Sequence, residues 1–199
     1  LGAKMIVASA LRINAALFDV VTKDEIVVEQ NVGGRAVYRN AGHTDRRGLE
    51  LAAETVTAGP WQARLAWSYI EATFREGFVS GGIPVPAGSE LPGVPRSQLY
   101  AELRYRGAGW YAQLEGLRRS RVPVNDRNSE FAGGFSAFNA VAGLAQEGRR
   151  WRLAEFVRID NLTDRTYAGS VIVNEGNQRY YEAAPRRNLT LGIQAQLSL

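Results

Sequence analysis

From Arg187 to Leu199 every second side chain is apolar. Leu189, Leu191, Ile193, Ala195, Leu197 and Leu199 hold one parity, and Asn188, Thr190, Gly192, Gln194, Gln196 and Ser198 hold the other. A period of two puts each set on its own face of a β-strand, whereas a helix requires apolar spacings of three and four. The same layout recurs upstream, in rows led by Leu11, Leu49, Trp61, Leu99, Trp110, Phe138 and Trp151. These segments run to roughly ten residues, longer than the five or six usual in globular sheets and close to what a tilted strand needs to cross a bilayer. The spacing therefore predicts an all-β, antiparallel transmembrane meander of about eight strands, with a partial one at Leu1–Ala8.

The connections alternate in length. Short turns fall at Ala58–Gly59–Pro60, Gly107–Ala108–Gly109 and Glu147–Gly148–Arg149–Arg150. Apart from these, a tighter loop lies near Asn31–Gly34. Long polar loops rich in Gly and Pro fall at Gly77–Pro95, Arg121–Gly134 and Leu162–Arg186. One plain and one elaborated end is the asymmetry of outer-membrane barrels, whose periplasmic turns are short and extracellular loops long. Trp61, Trp110 and Trp151 each open a strand after a short turn, which sets three aromatic rings at one level, as an interfacial girdle requires. One position runs against the pattern: Glu155 falls on the apolar parity between Leu153 and Val157, which calls for a register-shifting bulge or a place near the interface.

Composition removes other classes. There is no Cys, which excludes disulfides and thiolate metal sites, and the single His, His43, leaves no His-rich metal cluster. His43 with Asp45 lacks a second His and a Gly-x-Ser-x-Gly motif, so it reads as a polar strand residue and no catalytic residue is assigned. Gly33-Gly34 and Gly81-Gly82 precede no helix pattern and read as turns, not phosphate loops. The net charge of +4 is small and the basic residues are scattered, which argues against a nucleic-acid surface. No run approaches the ~18 apolar residues of a membrane helix. The cluster Arg118-Arg119-Ser120-Arg121 suits either an anionic ligand, lipopolysaccharide phosphates included, or a solvated strand end at the outer leaflet.

Several segments, in order, resemble the later barrel region of TonB-dependent outer-membrane receptors. They are Ala16-Leu17-Phe18-Asp19-Val20 followed by Lys23-Asp24-Glu25-Ile26-Val27, Asn40-Ala41-Gly42 with Arg47-Gly48-Leu49-Glu50, Leu91-Pro92-Gly93-Val94-Pro95, and Ile159-Asp160-Asn161-Leu162-Thr163-Asp164-Arg165-Thr166-Tyr167. The resemblance covers essentially the whole chain. It implies part of a barrel of about 22 strands, less than its C-terminal half, with the plug domain and the TonB-contacting segment lying outside these residues. The final Leu199 departs from the aromatic with which the family usually ends. The implied role is TonB-dependent uptake of a ferric siderophore or similar metal chelate in the bacterial outer membrane. No enzymatic chemistry and no bound cofactor is implied, and the expected partners are the chelate, TonB, and outer-membrane lipid with lipopolysaccharide. Anionic, flat chelates suit Arg and aromatic side chains, which singles out Arg75, Arg96, Arg119, Arg121, Tyr180 and Tyr181 as ligand-binding residues. The alternative from another class is a self-contained small outer-membrane barrel with an adhesive or structural role, which requires the sheet to close on itself.

Overall fold

The computed structural model describes residues 1–56 and 59–197. Ala58, Ser198 and Leu199, which figure in the reading above, lie outside the described residues. The strands are β1 (Gly2–Val7), β2 (Leu11–Thr22), β3 (Ile26–Val32), β4 (Arg35–Asn40), β5 (Thr44–Thr55), β6 (Trp61–Phe74), β7 (Phe78–Ser80), β8 (Ile83–Val85), β9 (Ser97–Arg106), β10 (Trp110–Arg119), β11 (Val122–Pro123), β12 (Phe131–Ala132), β13 (Phe135–Glu147), β14 (Trp151–Asp160), β15 (Ala168–Val171), β16 (Tyr181–Ala183) and β17 (Asn188–Leu197). Nine of them form one antiparallel meander in the order β1-β2-β5-β6-β9-β10-β13-β14-β17, and the remaining eight pair as small hairpins inside the long connections.

Period-2 alternation carries straight through the ladder. Leu103, Leu114, Ala140 and Ile159 lie in one lateral row on four consecutive strands, as do Leu144, Glu155 and Ile193 on the last three. The apolar face stays bare: Leu191 is 74% exposed and Ile193 76%. A soluble monomer of this mass exposes about 9,300 Å², whereas this chain exposes 12643 Å². The excess arises because both faces of an open sheet are uncovered, and the bare row of leucine and isoleucine on one of them suits hydrocarbon.

The structure removes one of the two explanations for Glu155. Pairing runs without interruption from Trp151↔Leu197 to Asp160↔Asn188, so no bulge shifts the register. Glu155 stands on the apolar face four residues beyond Trp151, flanked by Leu144 and Ile193. A carboxylate at that depth is destabilising, though by less than the 2–4 kcal/mol of a basic residue. Glu155→Leu in the lipid-embedded barrel is accordingly expected to raise unfolding stability by about 1–2 kcal/mol. Denaturant unfolding in vesicles measures this, and a loss of stability would mean that the carboxylate has a polar partner there.

The opposite face is polar, with large rings lying over glycines. A Cβ on Gly143 would sit 2.5 Å from the Tyr111 ring and 2.7 Å from the Glu155 carbonyl oxygen, and one on Gly192 would sit 2.2 Å from the Phe156 ring. Because Tyr111, Gly143, Phe156 and Gly192 are successive cross-strand partners, each glycine makes room for its neighbour's ring.

The buried core lies at one end of the sheet, where the tips of strands such as β6 meet the connections, and not across its faces. One cluster joins Ala41, Ala72, Phe74, Val85 and Leu91, and a second joins Val122, Val124, Ala132 and Tyr180, both at the end where the long connections meet. The tighter loop expected near Asn31–Gly34 is present, as the tip of a hairpin. Gly33 and Gly34, at φ 56° and 80°, form the two-residue turn of the β3–β4 hairpin, which is itself the body of a fourth long connection between β2 and β5. Gly81 and Gly82, at φ 56° and 78°, do the same for β7–β8.

Candidate ligand-binding face

Two polar arrays occupy the non-lipid side. The first runs along the polar face of the sheet. Arg12 bonds Glu54 at 2.6 Å, and Arg64 approaches the same carboxylate at 3.7 Å. The Tyr100 hydroxyl donates to Glu102 at 2.7 Å. Glu115 accepts from Gln113 at 2.7 Å, from Asn139 at 3.2 Å and from Arg158 at 3.0 Å, and Arg158 also donates to Asp160 at 2.8 Å. Such an array suits a wetted lumen and would be prohibitive against lipid.

The second array caps the long-loop end. Glu90 pairs with Arg96 at 2.9 Å and lies 4.0 Å from Arg121. The Arg121 guanidinium sits 4.1 Å from the centre of the Phe131 ring. The Tyr181 hydroxyl donates to Glu130 and reaches the Phe131 carbonyl oxygen at 3.3 Å. Partial burial and the bond to Glu130 push the Tyr181 hydroxyl up to about 12, so it is a neutral donor at physiological pH. The structure thus brings Arg96, Arg121 and Tyr181 into one neighbourhood around Glu90 and Phe131.

The other three residues singled out by sequence have different surroundings. Arg119 donates to the carbonyls of Ala168 and Gly169 at 2.8 and 3.2 Å and lies 4.8 Å from the centre of the Phe135 ring, which stacks on Tyr167. Tyr180 is 9% exposed and packs in the second loop core. Arg75 pairs with Asp45 at 3.8 Å. The Nδ1 of His43 bonds Glu76 at 2.8 Å, and among the described residues no cluster of acidic, His or Cys side chains is placed to hold a metal ion.

Sequence reading missed the junction that binds the loops together. Asn174 donates through Nδ2 to the Val28 carbonyl at 2.7 Å and accepts at Oδ1 from the Asp126 amide at 3.0 Å. Its backbone bonds Val124 and Asn31. A polar cleft of about 340 Å³ opens beside it, lined by Glu29, Ser80, Asp126, Arg127, Glu175 and Gln178 among others. Asp126 is 1% exposed; its Oδ2 lies 3.4 Å from Arg39, and its Oδ1 has no partner. Asn and Asp are common in any turn, so nothing in the run Asn125-Asp126-Arg127-Asn128 announced a junction reaching back to Val28.

Asn174→Ala removes both side-chain bonds and leaves a buried amide and a carbonyl unpaired, at about 1–3 kcal/mol each. Amides of Ile26–Val32 and of 124–126 are expected to exchange with deuterium at least tenfold faster, with the barrel strands unchanged. Unaltered loop exchange would show that the junction contributes nothing. A second fastening closes the loop between β14 and β17: Arg186 grips Asp164 at 2.7 and 2.9 Å, and the Arg187 amide adds a third bond at 3.0 Å. Arg186 first, then that amide, hold the Asp164 carboxyl well below the ordinary carboxylate range. Because that value is lowered in the folded state, the contribution is present above the ordinary range and disappears only as pH falls through the lowered value.

A family model for the β-barrel of TonB-dependent receptor-like proteins matches residues 1–162. Among solved structures, the siderophore receptor PiuA from Acinetobacter baumannii superposes with a TM-score of 0.73 at 18% identity, over 96% of this chain and 26% of that one. The ferric yersiniabactin uptake receptor FyuA from Yersinia pestis gives 0.73 at 22% identity, over 98% and 28%. The ferric citrate transporter FecA, unliganded, gives 0.76 at 18% identity, over 98% and 30%. At these identities the likeness is one of fold, and this chain spans less than a third of the length of each of these structures. The meander, its bare apolar face and the family match agree, and the chain belongs to the TonB-dependent receptor β-barrel family.

Proposed function

We propose that this chain is the C-terminal part of the barrel of a TonB-dependent receptor in the bacterial outer membrane, taking up a ferric siderophore or a similar metal chelate. The family match over residues 1–162 carries this reading. The names of the structural neighbours, iron-chelate receptors and a copper transporter among them, favour a metal complex as cargo. Capture takes place at the loop cap, where the guanidiniums of Arg96 and Arg121, both beside Glu90, lie near the Phe131 and Tyr181 rings. That combination suits a flat anionic chelate by charge and stacking. Energised displacement of a plug, coupled to TonB by segments outside these residues, then passes the chelate through the lumen without covalent chemistry. A self-contained barrel would pair β1 with β17, but among the described residues these strands lie at opposite, unpaired ends of the sheet.

The reading is tested on the protein isolated from the outer membrane of its source. Its intact mass should be several-fold above 21.8 kDa, and titration with ferric chelates should give saturable binding. Arg96→Ala with Arg121→Ala should weaken that binding about tenfold or more, since each charge-assisted contact contributes roughly 1.5–3 kcal/mol. A mature mass near 21.8 kDa would sink the proposal.

A further inference from the structure

Alternation splits the basic run at the end of β10. Arg119 faces the polar side with Phe135 and Gln98, whereas Arg118 pairs with Leu99 and Ser136 on the apolar side. Trp67 is the next partner of Leu99, so Trp67, Leu99, Arg118 and Ser136 form one lateral row across four strands of the lipid-facing surface. Arg118 stands eight residues beyond Trp110, which is about 20 Å along the barrel axis for a tilted strand and close to the far edge of an apolar band about 25 Å tall. That is headgroup level.

A cavity of about 650 Å³ opens at this place, at the rim of the sheet: Arg165 from the connection after β14 lines it together with Arg118, Ser120 and Ser136, and Arg119 and Phe135 border it from the polar side. Arg12, Arg96, Arg158 and Arg186 all have carboxylate partners. Among the described residues Arg118 and Arg165 have none. The floor is prepared as well: the Trp67 indole N–H donates to Ser97 Oγ at 2.9 Å, and the Ser97 amide donates to Ser120 Oγ at 3.1 Å. Arg118 and Arg165 thus line one cavity with the hydrocarbon-facing Trp67, at the depth of lipid headgroups and without a carboxylate to neutralise them.

We propose that Arg118 and Arg165, with the Ser120 and Ser136 hydroxyls, form a binding site for the phosphate of an outer-leaflet lipid whose chains lie along the Trp67–Leu99 row. The assignment rests on the proposed outer-membrane placement and is separate from chelate capture. Guanidinium forks match phosphate oxygens bidentately, and their weak hydration suits an interfacial site.

The test uses the full-length receptor in uncharged detergent, titrated with a fluorescent lipid bearing a phosphomonoester headgroup. The dephosphorylated lipid and inorganic phosphate serve as the other two probes. The phosphorylated lipid should bind at least tenfold more tightly than the dephosphorylated one. Affinity should fall about fivefold for each guanidinium removed in Arg118→Ala and Arg165→Ala, and about 25-fold in the double variant, while Arg118→Lys with Arg165→Lys keeps most of it. Neither Ala substitution breaks an ion pair, and an unchanged heat-modifiable gel shift verifies the fold. Equal affinity of the double variant and the parent would overturn the site. Inorganic phosphate competing at the same concentration as the lipid would overturn the lipid assignment. Ferric-chelate titration of the same variants should be unchanged, so failure of the receptor reading registers in that arm and failure of the lipid site in the other.

Discussion

Residues 1–199, expressed alone and refolded into detergent micelles, are expected to give aggregates or oligomers and no monomeric, heat-modifiable barrel. β1 is paired only to β2, and β17 only to β14. Along β17, ten residues long, half of the backbone N–H and C=O groups point away from the single partner. Each unpaired group in hydrocarbon costs several kcal/mol, so this one edge costs on the order of 20 kcal/mol or more. A typical folded domain has only about 5–15 kcal/mol of net stability, which the penalty exceeds. Two such edges seek partners in other copies. Gel mobility with and without heating, together with size-exclusion chromatography, reads the result. A monomer with a heat-sensitive shift and β-type circular dichroism would show that the sheet closes by itself. On the reading proposed above, the shift should appear in the protein isolated from the outer membrane of its source.

Leu114→Arg should destabilise the full barrel by about 2–4 kcal/mol in vesicles, while Gln113→Arg, one residue away, should change it by less than ~1 kcal/mol. Leu114 is 50% exposed on the apolar face between Leu103 and Ala140, four residues beyond Trp110 and so near the middle of the band. A guanidinium there must be desolvated or drag water and headgroups inward. Gln113 is on the polar face and donates to Glu115 at 2.7 Å. An arginine in its place keeps a donor toward that carboxylate and stays in a wetted lumen. Reversible denaturant unfolding of the two variants measures the difference. Equal costs would mean that the two faces do not see different media, and a larger cost for Gln113→Arg would invert the assignment of lipid and lumen.

The sequence determined the barrel strands and their facing, because alternation is local. Each side chain's face follows from its parity, and one apolar row such as Leu189 to Leu197 commits its whole strand. Turn chemistry at Gly107–Gly109 and Glu147–Arg150 supplied the strand order, since short links join antiparallel neighbours. The β3–β4 hairpin escaped because its alternation is that of any strand. Whether a hairpin joins the wall or stands above it depends on partners far away in the chain.

The same distance effect governs the candidate sites. The family resemblance pointed to Arg96, Arg121 and Tyr181, but their convergence on Glu90 and Phe131 requires three long loops to fold over one another. Tyr180, adjacent to Tyr181, became core. Arg118 and Arg119 are neighbours in sequence on opposite faces, and Arg165 joins Arg118 from across β13 and β14. Asn174 reaches Val28 across almost the whole chain. Periodicity reports which face a residue occupies, a property of its own strand. Only the tertiary structure decides which loop residues meet, because those contacts form between segments that share no local pattern.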